Sequence, residues 1–335
     1  MELSALRQHL WVACRAPSAH NTQPWLLIDA PEGWRLEFSA ARHLSASDAG
    51  HRDLLLSLGA FVESLLIVAA ELRVSLQFEV DVDLEARRLG SFTAGTQPYR
   101  TAFRSAHLLS RRTSRLPFEP LVPHAALQRT LQAELNPGES LITLKGAQLH
   151  DLLVPADEYL LDTPGVAREF HRWFRACAQA SGPAALDGLT AECLGLGRLQ
   201  SRTLSMLLSE GIYPWFRRSR LPRLLARTSS AVLRKDTCVM ALVAEGSRPA
   251  DTLAAGRTLQ RLWLALTAEG IHTHPLSQIL DYPSTAAKLP ARLSVGEGRR
   301  ILSLFRVGRS ARPAVSWRLG ETFAQRALLD RSPCR

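Results

Sequence analysis

The sequence predicts an α+β fold with a similar unit in each half. Two long segments, one after Asp48 and one after Asp251, carry apolar residues at the i, i+3, i+4, i+7 spacing of an amphipathic helix. An extended segment follows each of them, VSLQFEVDV after the first and GIHTHPLSQIL after the second. The repeated order of a helix and then an extended segment suggests an internal duplication that has diverged widely.

In the first half, strands are predicted at Leu26 to Asp29 and Trp34 to Phe38, joined by the turn APEG. The helix after them contains the longest apolar run of the chain, Leu54 to Leu72, which approaches membrane-spanning length. Glu63 lies near the middle of this run, so we interpret it as a buried core helix and not as a membrane span.

In the second half, strands are predicted at Thr237 to Ala244 and Ile301 to Val307. Residues Pro155 to Lys235 fit neither half, and we call them the insertion. They contain two helix-like pieces, REFHRWFRACAQA and LQSRTLSMLLSEG, and a basic stretch after them. The predicted halves are residues 1–106 and 107–335, with the insertion inside the second.

The composition favours a soluble globular protein with an anionic partner. The chain has 335 residues, is 46% hydrophobic and carries a net charge of +10, which comes almost wholly from arginine. Arginine suits bidentate contacts to phosphate, although a general coding bias for arginine would give the same excess. The five cysteines are far apart and show no C-x-x-C spacing, and no secretory signal is evident, so we expect a cytoplasmic protein without a metal site.

Two short stretches carry the chemistry. RAPSAHNTQPW, Arg15 to Trp25, combines two prolines with amide side chains and reads as a shaped loop. SRRTSRLPFEPLV, Ser110 to Val122, places three guanidinium groups around one hydroxyl, which suits a phosphate and an adjacent polar ring edge. A solvated basic cluster would have the same sequence, so the second stretch is a weak signal by itself.

Together the two stretches resemble motifs of the nitroreductase superfamily of flavin proteins. In that family an R-R/H-S-x-R/K segment holds the FMN phosphate and the pyrimidine edge, and a downstream P-S-x-x-N-x-Q-P-W loop packs on the ring from the partner subunit. This chain matches the loop at Pro17, Ser18, Asn21, Gln23, Pro24 and Trp25, and the arginine motif at Arg111, Arg112, Thr113 and Arg115.

The order of the two motifs is reversed here, as in the single-chain branch typified by the mycobacterial Acg-like proteins, which the sequence resembles from end to end. The resemblance implies a nitroreductase-like fold in which two diverged halves form a pseudo-dimer around central antiparallel sheets. Each half keeps one of the two motifs, so the resemblance implies one FMN per chain.

The resemblance also implies further FMN contacts. The tail LFRVGRSARPAVSWR would provide phosphate ligands, and the loop HTHPLSQIL would lie beside the flavin N5 edge. The candidates for the phosphate are Arg318 and, less securely, Arg306 and Arg309. Those for the N5 edge are Pro275, Leu276, Ser277 and Gln278.

Hydride transfer through FMN needs no acid or base from the protein, so we assign no catalytic side chain. Arg115 is the candidate cation for the negative charge that appears at the N1/O2 edge on reduction. His20 is more simply a turn residue than a catalytic one. His272 and His274 lack further ligands at metal spacing, and Trp173, Trp215 and Trp263 are expected to pack in the core or the insertion.

The leading hypothesis for function is an FMN-binding oxidoreductase that moves electrons from NAD(P)H to a small organic acceptor such as a nitroaromatic or a quinone. The alternative is an FMN-binding or sequestering protein whose flavin is covered by the insertion as a lid. Nucleic-acid binding is a weaker hypothesis, because the leucines between Arg217 and Lys235 favour a packing helix. We expect no membrane partner, and either a monomer or a homodimer.

Overall fold

Two four-stranded antiparallel sheets form the framework of the chain. The structure is a computed structural model, and it describes residues 3–176, 187–229, 233 and 236–310. The first sheet contains β1 (Trp25–Ala30), β2 (Gly33–Phe38), β3 (Leu76–Asp83) and β4 (Arg88–Ala94), in the spatial order β1-β2-β4-β3. Helix α1 (Leu3–Ala13) precedes the sheet, and α2 (Arg52–Glu71) connects β2 to β3.

The second sheet has the same topology. Its strands are β5 (Glu139–Lys145), β8 (Cys238–Glu245), β9 (His272–Pro275) and β10 (Arg299–Gly308), in the order β5-β8-β10-β9. Helix α11 (Pro249–Ala268) connects β8 to β9, as α2 connects β2 to β3. Both sheets therefore follow a β-β-α-β-β chain order, with every neighbouring pair of strands antiparallel.

The two long helices pack against each other at a pair of glycines. A Cβ atom on Gly59 would lie 2.1 Å from the carbonyl oxygen of Leu253, and one on Gly256 would lie 2.5 Å from that of Leu56. Since real side chains do not approach this closely, glycine at both positions allows the two backbones to meet. The predicted helices are confirmed, but α11 begins at Pro249, so Asp251 lies in its first turn and accepts the Arg248 N–H from there.

Glu63 explains why a carboxylate interrupts the longest apolar run. Its side chain is fully buried, and its Oε2 atom lies 3.0 Å from Arg257 Nε and 3.3 Å from Arg261 Nη1, both on α11. The Tyr99 hydroxyl donates to Oε1 at 2.6 Å. By length and mean hydropathy (1.9) α2 could cross a membrane, but 89% of its most apolar window is buried inside the fold. The prediction of a core helix is confirmed.

The two sheets differ in how they are covered. The first sheet packs one face on α1 and α2 and exposes much of β3, whereas seven of the eight residues of β8 are buried. One face of the second sheet packs on α11 and α4 (Ala125–Ala133). The other packs on α5 (His150–Asp162) and on the short helices α12 (Gln278–Asp281) and α14 (Leu289–Arg292), beside α13 (Pro283–Ala286). β8 is therefore apolar from Cys238 to Ala244 and does not alternate.

The insertion lies in the connection between β5 and β8 and has an apolar core of its own. It contains most of α5, then α6 (Pro164–Trp173), α7 (Ala191–Leu194), α8 (Arg198–Leu207), α9 (Tyr213–Arg218) and α10 (Leu221–Ser229). Short strands β6 (Phe174–Arg175) and β7 (Leu189–Thr190) pair in parallel. Its core includes Phe170, Leu208 and Phe216. Trp173 and Trp263 are buried as predicted, but Trp215 is 78% exposed, so the expectation that it packs is wrong.

Two predicted boundaries fall inside helices. Residue 155, where the insertion was predicted to start, is a proline within α5, and the first turns of α5 pack in the core of the second sheet. The boundary between 106 and 107 falls inside α3 (Ser105–Ser110), which packs on α1, α2 and α11. The passage from one half to the other is thus part of the shared core.

Candidate functional site

A cavity of about 850 Å³ lies where the two halves and the insertion meet. Four of the segments that line it are far apart in the sequence. They are the loop Pro17–Asn21, Thr113 with Arg115, the β9–α12 segment with His274, Pro275, Ser277 and Gln278, and leucine-rich parts of the insertion. The structure therefore brings parts of three predicted flavin-binding segments to one place.

The N-terminal loop has an unusual backbone. His20, Asn21 and Gln23 have positive φ angles of 46°, 56° and 51°, a left-handed conformation that is costly for residues other than glycine. The Ser18 hydroxyl accepts the Gln23 N–H at 3.0 Å and holds the turn closed. Such concentrated strain is typical of functional loops.

Only part of the loop motif reaches the cavity. Pro17, Ser18 and Asn21 line it, whereas Gln23 is 2% exposed and Trp25 stacks on Phe61 in the core of the first half. Gln23 and Trp25 therefore lie in the protein interior and do not line the cavity.

Asn21 ties the loop to the insertion. Its backbone carbonyl accepts the Gly188 N–H at 3.2 Å, and its side-chain amide donates to the Gly188 carbonyl at 3.1 Å. Two further contacts join the same surfaces. Arg42 Nη1 donates to the Thr22 carbonyl at 2.6 Å and to Asp187 Oδ2 at 3.1 Å, and the Glu169 carboxylate accepts from Ser47. These contacts hold the insertion against the N-terminal half.

The arginines of the second motif point in different directions. Arg111 is buried, donates to the Arg15 carbonyl at 3.1 Å and lies over the Trp263 ring. Arg112 folds back onto the carbonyl groups of Leu109 and Arg111. Arg115 is the arginine among the described residues that lines the cavity. Thr113 also lines it, because the segment pairs with Thr273 at the edge of β9.

A histidine and two arginines form a buried positive cluster at the wall of the cavity. Arg306 is fully buried and its Nε donates to His274 Nδ1 at 2.8 Å, so the His274 proton lies on Nε2. Burial, with the charges of Arg306 and Arg115, holds the pKa of His274 well below its usual range. Burial, with Arg115, lowers the pKa of Arg306 to about 10. Among the described residues, neither arginine forms an ion pair with a carboxylate.

The candidates for the flavin N5 edge divide into two pairs. Pro275 has no backbone N–H, and the Leu276 N–H donates to the Leu304 carbonyl at 2.8 Å, so neither can donate to a ligand there. Leu276 is also fully buried in the core of the second sheet. Ser277 and Gln278 line the cavity, and the Gln278 amide donates to Asp157 of the insertion at 3.1 Å.

The predicted phosphate ligands are placed only in part. Arg309 is exposed, pairs with Glu119 beyond the end of β10 and lies outside the cavity. Arg318 lies outside the described residues.

Sequence reasoning missed two features of the site. Arg15 lies close enough to Arg112 for the two charges to interact; burial first, and then Arg112, lowers the pKa of Arg15. Its place at the start of the loop stretch was the available signal. The second feature is a group of aspartates, Asp48, Asp53 and Asp281, around Arg52, whose Nη2 lies 2.7 Å from Asp53 and 2.6 Å from Asp281. Burial and Asp53 raise the pKa of Asp48 to about 7 and that of Asp281 to about 8.

The described residues contain no group of three or more histidine, cysteine or acidic side chains placed to hold a metal ion. The candidate site is therefore an apolar cavity with one lining arginine and a rim of hydroxyl, amide and carboxyl groups.

Comparison with known proteins supports the predicted resemblance. The sequence is 31% identical over 117 residues to the protein named "Putative NAD(P)H nitroreductase acg" of Mycobacterium tuberculosis, covering 34% of this chain and 35% of that protein. It is also 26% identical over 285 residues to the uncharacterized protein MT1398 of the same species, covering 81% of this chain and 38% of that protein.

The predicted resemblance to the Acg-like branch is thus confirmed, and the α+β class with antiparallel sheets is confirmed by the structure. The chain spans less than two fifths of the length of these curated relatives. No protein-family model matches the sequence.

Solved nitroreductases overlap this structure loosely. The FMN-dependent nitroreductase NfnB of Mycobacterium smegmatis, in complex with NADPH, is 20% identical with a TM-score of 0.36, covering 68% of this chain and 94% of that one. A nitroreductase of Bacteroides fragilis with bound FMN is 12% identical with a TM-score of 0.34, covering 63% and 90%. At these scores the overlap transfers no residue or role to this chain.

Proposed function

We propose that this chain is an FMN-dependent oxidoreductase of nitroreductase type that moves electrons from NAD(P)H to a small organic acceptor. One observation carries the proposal. The loop Pro17–Asn21 and the pair Thr113 and Arg115, about ninety residues apart in the sequence, line the same cavity between the two halves. These are the segments whose motifs resemble those of flavin proteins.

The residues of the cavity fit a flavin. Arg115 lines the wall, and the hydrogen bond from its Nη1 to the Cys193 carbonyl is long, at 3.4 Å. A guanidinium that lines the cavity and forms no ion pair with a described carboxylate favours an anionic or electron-rich ligand edge. Ser18 and Thr113 add hydroxyl groups, and Trp263 and Leu259 supply apolar surface.

FMN would supply hydride transfer between the nicotinamide and the acceptor. The protein would bind the pyrimidine edge through Arg115 and stabilise the negative charge that develops there. Arg306 and neutral His274 would keep Arg115 in a positive, buried surrounding, which strengthens its attraction for that charge. For a quinone acceptor, the overall reaction oxidises one NAD(P)H and consumes one proton to give the hydroquinone.

The FMN phosphate would lie near Arg15 and Arg112, and the pyrimidine edge near Arg115. Both guanidinium groups are partly buried, and neither forms an ion pair with a described carboxylate. Two arginines held together in this way favour an anion between them. Arg111 holds the Arg15 backbone through its carbonyl, and Arg318 stays a predicted ligand.

The matching topology of the two sheets supports an origin by tandem duplication and a pseudo-dimeric arrangement with a single flavin. We expect the protein to act in the cytoplasm, as a monomer or a homodimer, with no nucleic acid or membrane as partner.

A second candidate function is FMN sequestration with little turnover. The contacts of Asn21 with Gly188 and of Arg42 with Asp187 hold the insertion over the cavity as a lid. A flavin beneath a closed lid would be out of reach of nicotinamide and acceptor.

Anaerobic stopped-flow mixing of the purified yellow protein with NADH and NADPH separates the two functions. Bleaching of the flavin absorption within seconds, followed by recovery on addition of a quinone, is the result expected for the reductase. Persistence of the oxidised spectrum for minutes would instead support sequestration, and protein without flavin would contradict both.

A further inference from the structure

Most of the apolar residues that line the cavity belong to the insertion. Thirteen of the described lining residues are leucines, and nine of these belong to the insertion. At about 850 Å³, the volume lies near the upper end of the roughly 300–1,000 Å³ range of small-molecule sites. It exceeds what one tricyclic ring system fills, so a second ligand has room beside a flavin.

Several of the insertion leucines turn apolar surface towards the cavity. Leu194, Leu204, Leu207 and Leu225 pack against the insertion's own core but are only partly buried, and all four line the cavity. Leu199, also a lining residue, is 79% exposed. Apolar surface that a protein fails to bury against itself gains most from an apolar ligand.

The charges of the lining argue against an anionic second ligand. Four aspartates line the cavity (Asp48, Asp53, Asp157 and Asp281), against one arginine, Arg115, among the described lining residues. If Arg115 binds the flavin, a further anion finds no second arginine or lysine among the described lining residues. A neutral ligand needs no such partner.

We propose that the insertion binds the hydrocarbon side chain of a neutral ring compound, a quinone bearing an alkyl chain of about ten carbons. The proposal rests on the proposed function in one respect, since the ring would be the electron acceptor. Leu204 and Leu207 of α8 bind the chain, and Leu199 at the start of the same helix extends the apolar surface. Compact acceptors without a side chain use only the part of the cavity outside the insertion.

Calorimetric titration of the oxidised protein tests the proposal without any turnover. The probes are two benzoquinones that differ only in their side chain, one without it and one with ten carbons. Each buried methylene contributes about 0.8 kcal/mol, so burial of even part of the chain gives more than tenfold tighter binding and a negative heat-capacity change. Equal affinities for the two quinones would overturn the proposal.

Two variants assign the effect to the insertion. Leu204→Gln and Leu199→Gln should each reduce the side-chain advantage several-fold, because both place an amide on the proposed path of the chain. Leu199 is mostly exposed, so its replacement spares the core even if Leu204→Gln fails to fold. Leu224→Gln is the matched control, since Leu224 is 55% exposed on the same insertion and does not line the cavity. An equal loss in the control would contradict the assignment.

A saturated fatty acid with the same chain length tests whether binding requires the neutral ring in addition to the hydrocarbon chain. We expect it to bind at least tenfold more weakly than the alkyl quinone, and equal or tighter binding would overturn the proposed ligand class. Flavin content and reduction by NAD(P)H are measured separately. The proposed function therefore fails on those readouts alone, whereas this inference fails only when binding does not depend on the side chain.

Discussion

The two halves of the molecule share a β-β-α-β-β framework and differ most at one connection. In the first half, β1 passes to β2 through a tight turn at Pro31 and Glu32. In the second half, the corresponding connection from β5 to β8 contains the insertion. The first sheet therefore keeps a solvent face, and the second is covered on both faces.

This difference shows how one framework used twice can give one site and not two. The loop of the first half and the Thr113–Arg115 segment meet at a single cavity, and the insertion of the second half covers it. In our account the halves are complementary pieces of one site, joined through α2 and α11. Substitutions at contacts between the halves should therefore have larger effects than matched substitutions within one half.

The largest expected effect is at Glu63, which pairs with two arginines across the halves. Glu63→Ala leaves Arg257 and Arg261 without their shared buried carboxylate, and we expect a loss of about 3–5 kcal/mol in the free energy of unfolding. Asp81→Ala is the control, because it removes the partner of Arg88 on the exposed side of the first sheet, which costs about 0–1 kcal/mol. Urea unfolding measures both, and equal losses would contradict a buried joint between the halves.

The contact of α2 with α11 gives the next effect. Gly59→Ala places a methyl group where the Leu253 carbonyl lies, so the helices must separate, at a cost of about 1–3 kcal/mol. Gly50→Ala has no atom within 4 Å of the added methyl group and should be close to neutral. Thermal unfolding compares them, and a neutral Gly59→Ala would show that the crossing is looser than described.

The contact of the insertion with the first half is tested at Arg42. Arg42→Ala removes the hydrogen bonds to Thr22 and Asp187, and we expect local opening to become easier by about 1–2 kcal/mol. Faster hydrogen exchange near Gly188, with little change in global stability, is the expected result. Arg7→Ala, which loses an ion pair with Asp29 in the first half, should leave that exchange unchanged. If the insertion acts as a lid, Arg42→Ala should also speed flavin reduction.

The last effect concerns the pH dependence of stability at Asp281, which faces Arg52, Asp53 and Asp48. Its pKa rises from 3.8 to about 8, so the folded state retains a proton that the unfolded chain loses. Its contribution is therefore complete below pH 4 and is lost as the pH rises towards 8. Asp281→Asn should flatten the decline of unfolding free energy between pH 5 and pH 8. An unchanged slope would contradict a protonated Asp281.

Much of the fold could be predicted because periodicity was strong. Helices α2 and α11, strands β1, β2, β8 and β10, and parts of α6 and α8 follow from local pattern. The helix predicted over REFHRWFRACAQA is wrong at Phe174–Arg175, which form β6. β4 and β5 were not predicted, since Gly90 interrupts the alternation of β4, and β5 begins and ends with charged residues. Trp215 could not be predicted as exposed, because its environment depends on how α9 packs.

The candidate site was predictable only as far as the motifs reached. Pro17, Ser18, Asn21, Thr113 and Arg115 line one cavity, and a resemblance suggested them. Arg111 is buried because it donates to the Arg15 carbonyl, and the Leu276 N–H already donates to the Leu304 carbonyl. Both partners are far away in the sequence. Local sequence carries no signal for such contacts.

The central claim is that the two halves together hold one flavin, with Arg115 at its pyrimidine edge. Its most direct test is equilibrium titration of the flavin-free protein with FMN, followed by flavin fluorescence. We expect one FMN per chain, and binding weaker by roughly tenfold or more in Arg115→Gln, since a charge-assisted contact is lost. Arg248→Gln, at a mostly exposed arginine, should bind as the unchanged protein does. A stoichiometry of two or zero, or full affinity in Arg115→Gln, would contradict the account.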